Sequence, residues 1–187
     1  SEVKAMLPRM LEAASILDHQ PGRFQFVLPM ALTCNESNVR EILSKCDVNV
    51  QVFKDHYYDI INASDFLVVA SGTATLEAAL LGVPMVIVYR TSLLTYLIGR
   101  LLVSIKHIGL ANILADREVV PELIQGRMTP HRIVQETLAI LDDPARMSRI
   151  SQELLQIKDK LGEPGASTRV AQLAHDLMMA GSRGRGS

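Results

Sequence analysis

Hydrophobic positions along the chain follow two patterns that alternate with each other. In one, apolar residues recur every three or four positions, as in Val3, Met6, Leu7, Met10 and Leu11, which places them on one face of a helix. In the other, short apolar runs rich in branched residues indicate strands. Strands that alternate with amphipathic helices are typical of βα units. The pattern therefore predicts an α/β fold built around a parallel sheet.

The same patterns give the bounds of the predicted elements. Strands are expected at 24–28, 48–53, 66–70 and 85–89. Helices are expected at 1–18, 36–45 and 56–63, from the third strand up to 81, and at 130–141, 145–161 and 166–179. The third strand is apolar without alternation, which indicates a strand buried on both faces near the centre of the sheet. An irregular stretch is expected at 109–127.

Length and the two chain ends determine the predicted domain organisation. A chain of 187 residues is the size of one domain with an appendage, which excludes a large two-domain enzyme. We expect residues 1–129 to form a ligand-binding domain, 130–180 to form extra C-terminal helices, and 181–187 to form a small, polar, basic tail. The chain enters a helix pattern directly at Ser1 without a signal-peptide pattern. It is therefore expected to be cut from a longer protein.

Composition and charge narrow the class of function. The chain has 19 basic and 20 acidic residues and a formal net charge of −1. Nucleic-acid binding needs a strongly basic face and is therefore not expected. Cys34 and Cys46 are not at a metal-ligand spacing and are expected to be free thiols. No metal site is predicted, because the histidines are scattered along the chain at His19, His56, His107, His131 and His175.

A candidate anion site follows the third predicted strand. The turn Ser71-Gly72-Thr73-Ala74 leads from this strand into a helix. Ligands of open α/β sheets bind at the carboxyl ends of the strands, where helix N-termini offer free N–H groups. Gly72 would let a phosphate approach the backbone, and the hydroxyls of Ser71 and Thr73 would donate to its oxygens. Ordinary strand-to-helix turns also favour small capping residues, so both interpretations stay open.

Glu77 adds a second group to this candidate site. It lies four residues beyond Thr73 on the same helix face, and helical side chains tilt toward the N-terminus, so its carboxylate points back to the turn. An acid in that position suits the hydroxyls of a sugar next to a phosphate. The alternative is a favourable interaction with the helix dipole. A capping box would need Ser or Thr three residues before the acid, where Ala74 stands.

Two motifs resemble lipid-A-disaccharide synthase. The first is ASGTATLEA at 70–78, followed by GVPMV at 82–86 and YR at 89–90. The second is LANILA at 110–115, followed by REVVPELIQ at 117–125. The sequence departs from the family at Ala111, where the family usually has proline. The resemblance covers nearly the whole chain up to the tail.

This resemblance implies the C-terminal, donor-binding half of an inverting GT-B glycosyltransferase with a Rossmann-like sheet, which uses neither a metal nor a cofactor. The family transfers 2,3-diacylglucosamine from UDP-2,3-diacylglucosamine to 2,3-diacylglucosamine 1-phosphate and releases UDP. Carried over, the turn from Ser71 to Ala74 would hold the diphosphate and Glu77 the ribose. The donor pocket would also contain Asn112, Glu122 and Gln125. The catalytic base, an acidic residue, belongs to the N-terminal domain, so no catalytic residue is expected in this chain.

Two positively charged or ionisable side chains follow other strands at the same predicted edge. Arg90 ends the strand at 85–89 and would either meet a phosphate or remain a solvated charge. His56 follows the strand at 48–53, and the backbone of residues 53–55 beside it would read the uracil. Scattered histidines are more often surface residues, and this interpretation of His56 stays open as well.

Two apolar segments lie outside the candidate nucleotide site. Residues 92–107 predict an amphipathic helix that is either buried against a domain or lies at a membrane surface; roughly sixteen residues are short for a span of about 20. With the resemblance, the second option implies a cytoplasmic protein, peripheral at the inner membrane of a Gram-negative-type bacterium. The helices after Pro130 either return to a missing domain or pair the subunits of a homodimer.

Two other functions fit the same residues. The chain would be the UDP-sugar-binding half of another GT-B glycosyltransferase or of an epimerase, which activity with an acylated donor would distinguish. It would otherwise be a non-catalytic α/β assembly module in which Glu77 only stabilises its helix. Titration with UDP separates this module from a nucleotide-binding domain.

Overall fold

The computed structural model describes residues 2–20, 24–31, 34–91, 106–163 and 165–183, with side chains up to residue 178 in the last segment. Its strands are β1 (Phe26–Pro29), β2 (Val50–Phe53), β3 (Leu67–Ala70), β4 (Met85–Tyr89) and β5 (Glu122–Ile124). Its helices are α1 (Glu2–Asp18), α2 (Glu36–Leu43), α3 (Tyr57–Ala63), α4 (Thr73–Leu80), α5 (Leu110–Ala115), α6 (Pro130–Leu141), α7 (Pro144–Leu155), α8 (Ile157–Lys160) and α9 (Ala166–Arg183). Two compact units, Ser1–Ile157 and Lys158–Ser187, divide the chain.

Every described strand pairing in the first unit is parallel. β1 pairs with β2, and β4 pairs with β3 on one side and with β5 on the other. Parallel neighbours need crossover connections, which the helices between the strands supply. The predicted α/β fold with a parallel, Rossmann-like sheet is therefore confirmed. The carboxyl ends of β3, β4 and β5 lie at one edge of their sheet.

β4 is the central strand of the core. Its first four residues are buried, and alternate side chains enter different clusters. Met85 and Ile87 pack in one cluster with residues of α4 and α7, whereas Val86 and Val88 pack in the other with residues of α1 and α6. Helices α6 and α7 thus complete the two layers that cover the sheet. Thr129 and Asp143 cap α6 and α7 through their side chains, which fixes where these helices begin.

The structure contains short elements in the stretch predicted to be irregular, among them α5 and β5. Both are too short to show a helical or alternating pattern. The helix predicted at 145–161 is divided at Gln156 into α7 and α8, and the last helix continues past 179 to Arg183. Most of the amphipathic helix predicted at 92–107 lies outside the described residues.

The second unit contains the C-terminal helix α9. Among its described side chains, the large apolar ones that are exposed are Val170, Leu173, Leu177 and Met178. Of the helices that the structure describes, none has the length and apolar character needed to cross a membrane.

Candidate functional site

Three of the residues selected from the sequence lie at the ends of neighbouring strands. Ala70 pairs with Val88, so Ser71 and Arg90 follow β3 and β4 at the same edge of the sheet. Tyr89 pairs with Ile124, which places Gln125 opposite Arg90. Arg90 is half-buried. The described carboxylates make no ion pair with it. The carboxyl edge, where α/β sheets bind ligands, therefore brings together Ser71, Arg90 and Gln125.

The turn after β3 directs free backbone groups toward this edge. The Ser71 N–H donates to the Val88 carbonyl (2.9 Å) and the Ser71 hydroxyl to the Ile108 carbonyl (2.9 Å). The next amides, of Gly72, Thr73 and Ala74, have no acceptor among the described residues. They belong to the N-terminus of α4, which carries a partial positive charge. The turn is thus held in place at Ser71, and the amides that follow are available to a ligand.

Gly72 is required by its backbone conformation. Its φ of 156° and ψ of −164° lie in a region that is essentially restricted to glycine. A Cβ atom built at this position has no neighbour within 4 Å among the described residues. The glycine therefore fills no tight space within the chain, and the surface beside it can receive a ligand.

Glu77 lies one helical turn beyond and accepts hydrogen bonds from two tyrosine hydroxyls. The Tyr58 hydroxyl donates to its carboxylate at 3.2 Å, and the Tyr57 hydroxyl hydrogen-bonds the same side chain. The pKa of Tyr57 is raised to about 12. Burial of the hydroxyl is the largest cause, followed by the charge of Glu77 and the hydrogen bond to it. The hydrogen bond to Glu77 is the main cause that raises the pKa of Tyr58. This carboxylate therefore already interacts with neutral hydroxyl groups rather than with a cation.

The pKa of Tyr57 gives the chain a predicted loss of stability at alkaline pH. Tyrosine in the unfolded chain has a pKa near 10, so between pH 10 and 12 the unfolded state loses a proton that the folded state keeps. The contribution is complete below pH 10 and is lost as pH rises through 12. We expect the melting temperature to fall over this window, and to fall less for Tyr57→Phe. An ultraviolet titration of the tyrosinates should show one late-ionising group fewer in Tyr57→Phe, and an unchanged curve would contradict the assignment.

Asn112 and Glu122 form a buried network below the edge. Asn112 is fully buried and Glu122 is 7% exposed. The Asn112 amide NH2 donates to Glu122 and to the Val120 carbonyl, both at 2.8 Å, and its oxygen accepts from the N–H groups of Val119 and Val120. Every polar atom of the Asn112 side chain is thereby used within the chain. Its side chain holds the loop before β5 rather than presenting a free group to a ligand.

Glu122 connects this network to the turn after β3. Its carboxylate accepts from the N–H groups of Ile108 (2.9 Å) and Gly109 (3.0 Å) as well as from Asn112. The carbonyl of Ile108 in turn accepts from the Ser71 hydroxyl. A Cβ at Gly109 would collide with the terminal methyl group of Ile87 and lie 3.2 Å from the Glu122 carboxylate, so a larger residue would require Ile87 to move. Glu122 thus fixes the backbone segment against which Ser71 is held.

Gln125 presents an unsatisfied donor next to this network. It is 9% exposed, and its Nε2 is buried without a hydrogen-bond partner in the described part of the chain. Its φ of 52° is in the left-handed region, which is strained for a residue with a side chain. An unpaired buried donor costs about 1–3 kcal/mol. An acceptor on a ligand would recover part of this free energy.

His56 lies apart from this group of residues. It follows β2, which pairs with β1 and with no strand of the other described sheet. Its ring is exposed and lies 3.2 Å from Asp59, and residues 53–55 beside it are exposed. The proposed reading of a uracil by these residues stays a prediction. Among the described residues, no group of three His, Cys, Asp or Glu side chains could hold a metal ion.

Tyr57 and Tyr58 are the site residues that the sequence analysis missed. The available signal was their position directly after His56, at the start of a helix that follows a strand. That position indicates proximity to the carboxyl edge. It does not indicate that α3 and α4 would bring the tyrosines to Glu77, which is nineteen residues from Tyr58.

The chain is similar to known proteins over most of its length. The family described as lipid-A-disaccharide synthetase matches residues 1–176. A lipid-A-disaccharide synthase of Syntrophus aciditrophicus is 49% identical over 95% of this chain and 46% of its own length. One of Nitrosococcus oceani is 41% identical over 100% of this chain and 48% of its own length. The chain thus spans about half the length of these curated relatives.

A solved structure agrees with the fold. The crystal structure of the glycotransferase of kitacinnamycin has a TM-score of 0.50 over 89% of this chain and 38% of its own, with 18% identity. At this identity the likeness concerns the fold alone. It supports the α/β fold described above.

Proposed function

Because the chain belongs to the lipid-A-disaccharide synthetase family, we propose that it is the donor-binding half of a glycosyltransferase that makes the lipid A disaccharide. The donor would be UDP-2,3-diacylglucosamine, the acceptor 2,3-diacylglucosamine 1-phosphate, and the second product UDP. The observation that carries this proposal is the pairing of the open turn after β3 with Glu77. The turn offers N–H donors to a diphosphate, and Glu77 offers a carboxylate to the hydroxyls of a ribose.

The turn would bind the diphosphate through backbone groups. The amides of Gly72, Thr73 and Ala74 are free for its oxygens, and the dipole of α4 favours negative charge at this point. The leaving diphosphate gains negative charge as the glycosidic bond breaks. Donors that are already fixed in place stabilise that charge more in the transition state than in the ground state. Arg90, one strand away, would add a full positive charge to the same group.

Glu77 would bind the ribose in place of the tyrosine hydroxyls. A carboxylate accepts hydrogen bonds through both of its oxygens, and Oε1 of this carboxylate already accepts one from the Tyr58 hydroxyl. The two hydroxyls of a ribose offer the same donors. Gln125 would donate its unpaired Nε2 to a further oxygen of the donor sugar or phosphate.

Asn112 and Glu122 would act from beneath the pocket. Their polar atoms bind the loop that includes Ile108, and Ile108 binds the Ser71 hydroxyl. They are therefore proposed as positioning residues of the diphosphate turn. The catalytic base would come from the other half of the protein. The acyl chains of both substrates support a location at the cytoplasmic surface of the inner membrane, and a homodimer stays a prediction.

Calorimetric titration with UDP tests this function. The parent chain is expected to bind UDP, and Glu77→Gln is expected to weaken binding about tenfold, because the ribose hydroxyls lose a charged acceptor worth roughly 1.5–3 kcal/mol in a hydrogen bond. Glu118→Gln is the matched control. Glu118 is an exposed carboxylate before the amino end of β5, and its replacement is expected to leave UDP affinity unchanged.

Two results would overturn the proposal. A parent chain that does not bind UDP would support an assembly module instead. Equal affinities for the parent, Glu77→Gln and Glu118→Gln would place the ribose elsewhere. Urea unfolding of each variant confirms that a lost affinity does not reflect a lost fold.

A further inference from the structure

A buried hydroxyl group lies behind the turn after β3. Thr75 is fully buried in the first turn of α4. Its hydroxyl donates to the Gly72 carbonyl at 2.7 Å, and its backbone N–H donates to the same carbonyl at 3.2 Å. A buried hydroxyl needs such a partner, because it has no access to water. Two donors of one residue thereby hold the Gly72 carbonyl.

This carbonyl belongs to the same peptide unit as the Thr73 N–H. A peptide unit is planar and trans, so its C=O and its N–H point in opposite directions. Because the Gly72 carbonyl is directed toward Thr75, the Thr73 N–H is directed away from it. That N–H has no acceptor among the described residues. The Thr75 hydroxyl therefore sets the direction of one of the amides that are available to a ligand.

The glycine in the turn makes this restraint necessary. Gly72 lacks a Cβ atom, so its backbone has more conformational freedom than that of any other residue. On the strand side, the turn is held by the two hydrogen bonds of Ser71. These bonds end before the peptide unit that joins Gly72 to Thr73. The Thr75 hydroxyl restrains that unit from the helix side.

The same edge of the sheet contains a second donor without an acceptor. Gln125 follows β5, is 9% exposed, and has a buried Nε2 with no hydrogen-bond partner in the part of the chain that the structure describes. Buried donors are normally paired, and helix N-termini of this kind bind anions. Unpaired donors from two neighbouring segments therefore indicate a ligand rich in oxygen atoms at this edge, rather than an ordinary helix start.

We propose that Thr75 is a positioning residue for the diphosphate, because its hydroxyl holds the Gly72 carbonyl and so keeps the Thr73 N–H directed at the phosphate oxygens. The inference rests on the proposed function, which assigns the diphosphate to this turn. Thr75 is too deeply buried to touch the ligand itself. Its effect is preorganisation, since a donor that is already in place need not be ordered during binding or reaction. Threonine often hydrogen-bonds a carbonyl three or four residues earlier; here that carbonyl adjoins the free amides.

Two substitutions separate the hydroxyl from the size of the side chain. Thr75→Val keeps the branched shape and removes the hydroxyl, whereas Thr75→Ser keeps the hydroxyl and removes a methyl group. Calorimetric titration should show UDP binding about tenfold weaker for Thr75→Val, the loss expected when one charge-assisted hydrogen bond is no longer aligned. Thr75→Ser should bind UDP within about twofold of the parent, although the lost methyl group lowers its stability. Affinity would thus follow the hydroxyl rather than the packing.

Thr137→Val is the matched control. Thr137 is also buried in a helix, at 3% exposure, but its hydroxyl has no hydrogen-bond partner among the described residues. Its removal is expected to leave UDP affinity unchanged and not to lower the free energy of unfolding, because it deletes a buried polar group that is unsatisfied. An equal loss of affinity in Thr137→Val and Thr75→Val would contradict the inference.

Uridine distinguishes an effect on the diphosphate turn from a general disturbance of the pocket. It carries the base and the ribose but no phosphate, so NMR titration should give the same uridine affinity for the parent and Thr75→Val. Equal losses for uridine and UDP would overturn the inference. Unchanged UDP binding by Thr75→Val would do the same, as would a Thr75→Ser variant that binds UDP as weakly as Thr75→Val.

The direction of the Thr73 N–H can be measured without any nucleotide. Residual dipolar couplings of backbone amides report the orientation of each N–H bond. The parent and Thr75→Ser should share one Thr73 coupling, whereas Thr75→Val should differ at Thr73 and agree with both at Val86 in β4. An unchanged Thr73 coupling in Thr75→Val would refute the inference whether or not UDP binds. A parent that shows the expected couplings but does not bind UDP would refute the proposed function and leave the restraint by Thr75 supported.

Discussion

Replacing Asn112 by alanine is expected to lower the free energy of unfolding by about 3–5 kcal/mol. The side chain is fully buried and makes four hydrogen bonds, to Val119, Val120 and Glu122. The change leaves the N–H groups of Val119 and Val120 without their acceptor, at about 1–3 kcal/mol for each unsatisfied group, and it removes one of the three donors to the Glu122 carboxylate. A cavity adds to that loss. Urea unfolding monitored by circular dichroism measures the effect as a lower midpoint at constant slope.

Asn62→Ala is the control for this prediction. Asn62 is exposed on α3, and surface substitutions of this kind usually change stability by no more than about 0.5 kcal/mol. A loss below about 1 kcal/mol for Asn112→Ala would mean that the network around Glu122 does not hold the loop. The proposed positioning of Ser71 through Ile108 would then lose its basis.

The elements with a strong periodic pattern were predictable from the sequence. β4 and the helices α4 and α6 have the burial that the pattern indicates, because their positions in the core depend on apolar side chains that recur at the period of the element. β5 was not predictable. Its three residues include Glu122, a charged residue that is buried only because Ile108, Gly109 and Asn112 donate to it.

The candidate site was predictable only in part, for a similar reason. Ser71, Gly72 and Glu77 are close in sequence, so helix geometry alone brings them to one face. The hydroxyl groups on Glu77 come from Tyr57 and Tyr58 on a different helix. The part played by Asn112 is also set by tertiary contacts. A sequence motif indicates that a residue is near a site. The hydrogen bonds in the folded protein determine whether its polar atoms are available to a ligand or are already used by other groups of the chain.

Replacing Gly72 by alanine is expected to weaken UDP binding at least tenfold, or by about 1.4 kcal/mol. The backbone conformation of Gly72, with φ of 156°, costs a residue with a side chain about 1–3 kcal/mol. The turn can relieve this strain by rotating the amides of Thr73 and Ala74 away from the diphosphate. A Cβ that remained in place would project into the open space where the phosphate approaches. Calorimetric titration with UDP measures the loss.

Gly162→Ala separates backbone strain from ligand contact. Gly162 also has a positive φ, of 71°, and open space for a Cβ, but it lies far along the chain from the turn. Both variants are expected to lose stability on unfolding in urea, because both place a side chain in an unfavourable backbone region. Only Gly72→Ala should lose affinity for UDP. If both variants bind UDP as the parent does, the amides after Ser71 do not hold the diphosphate, and the charge of Arg90 becomes the remaining candidate at this edge.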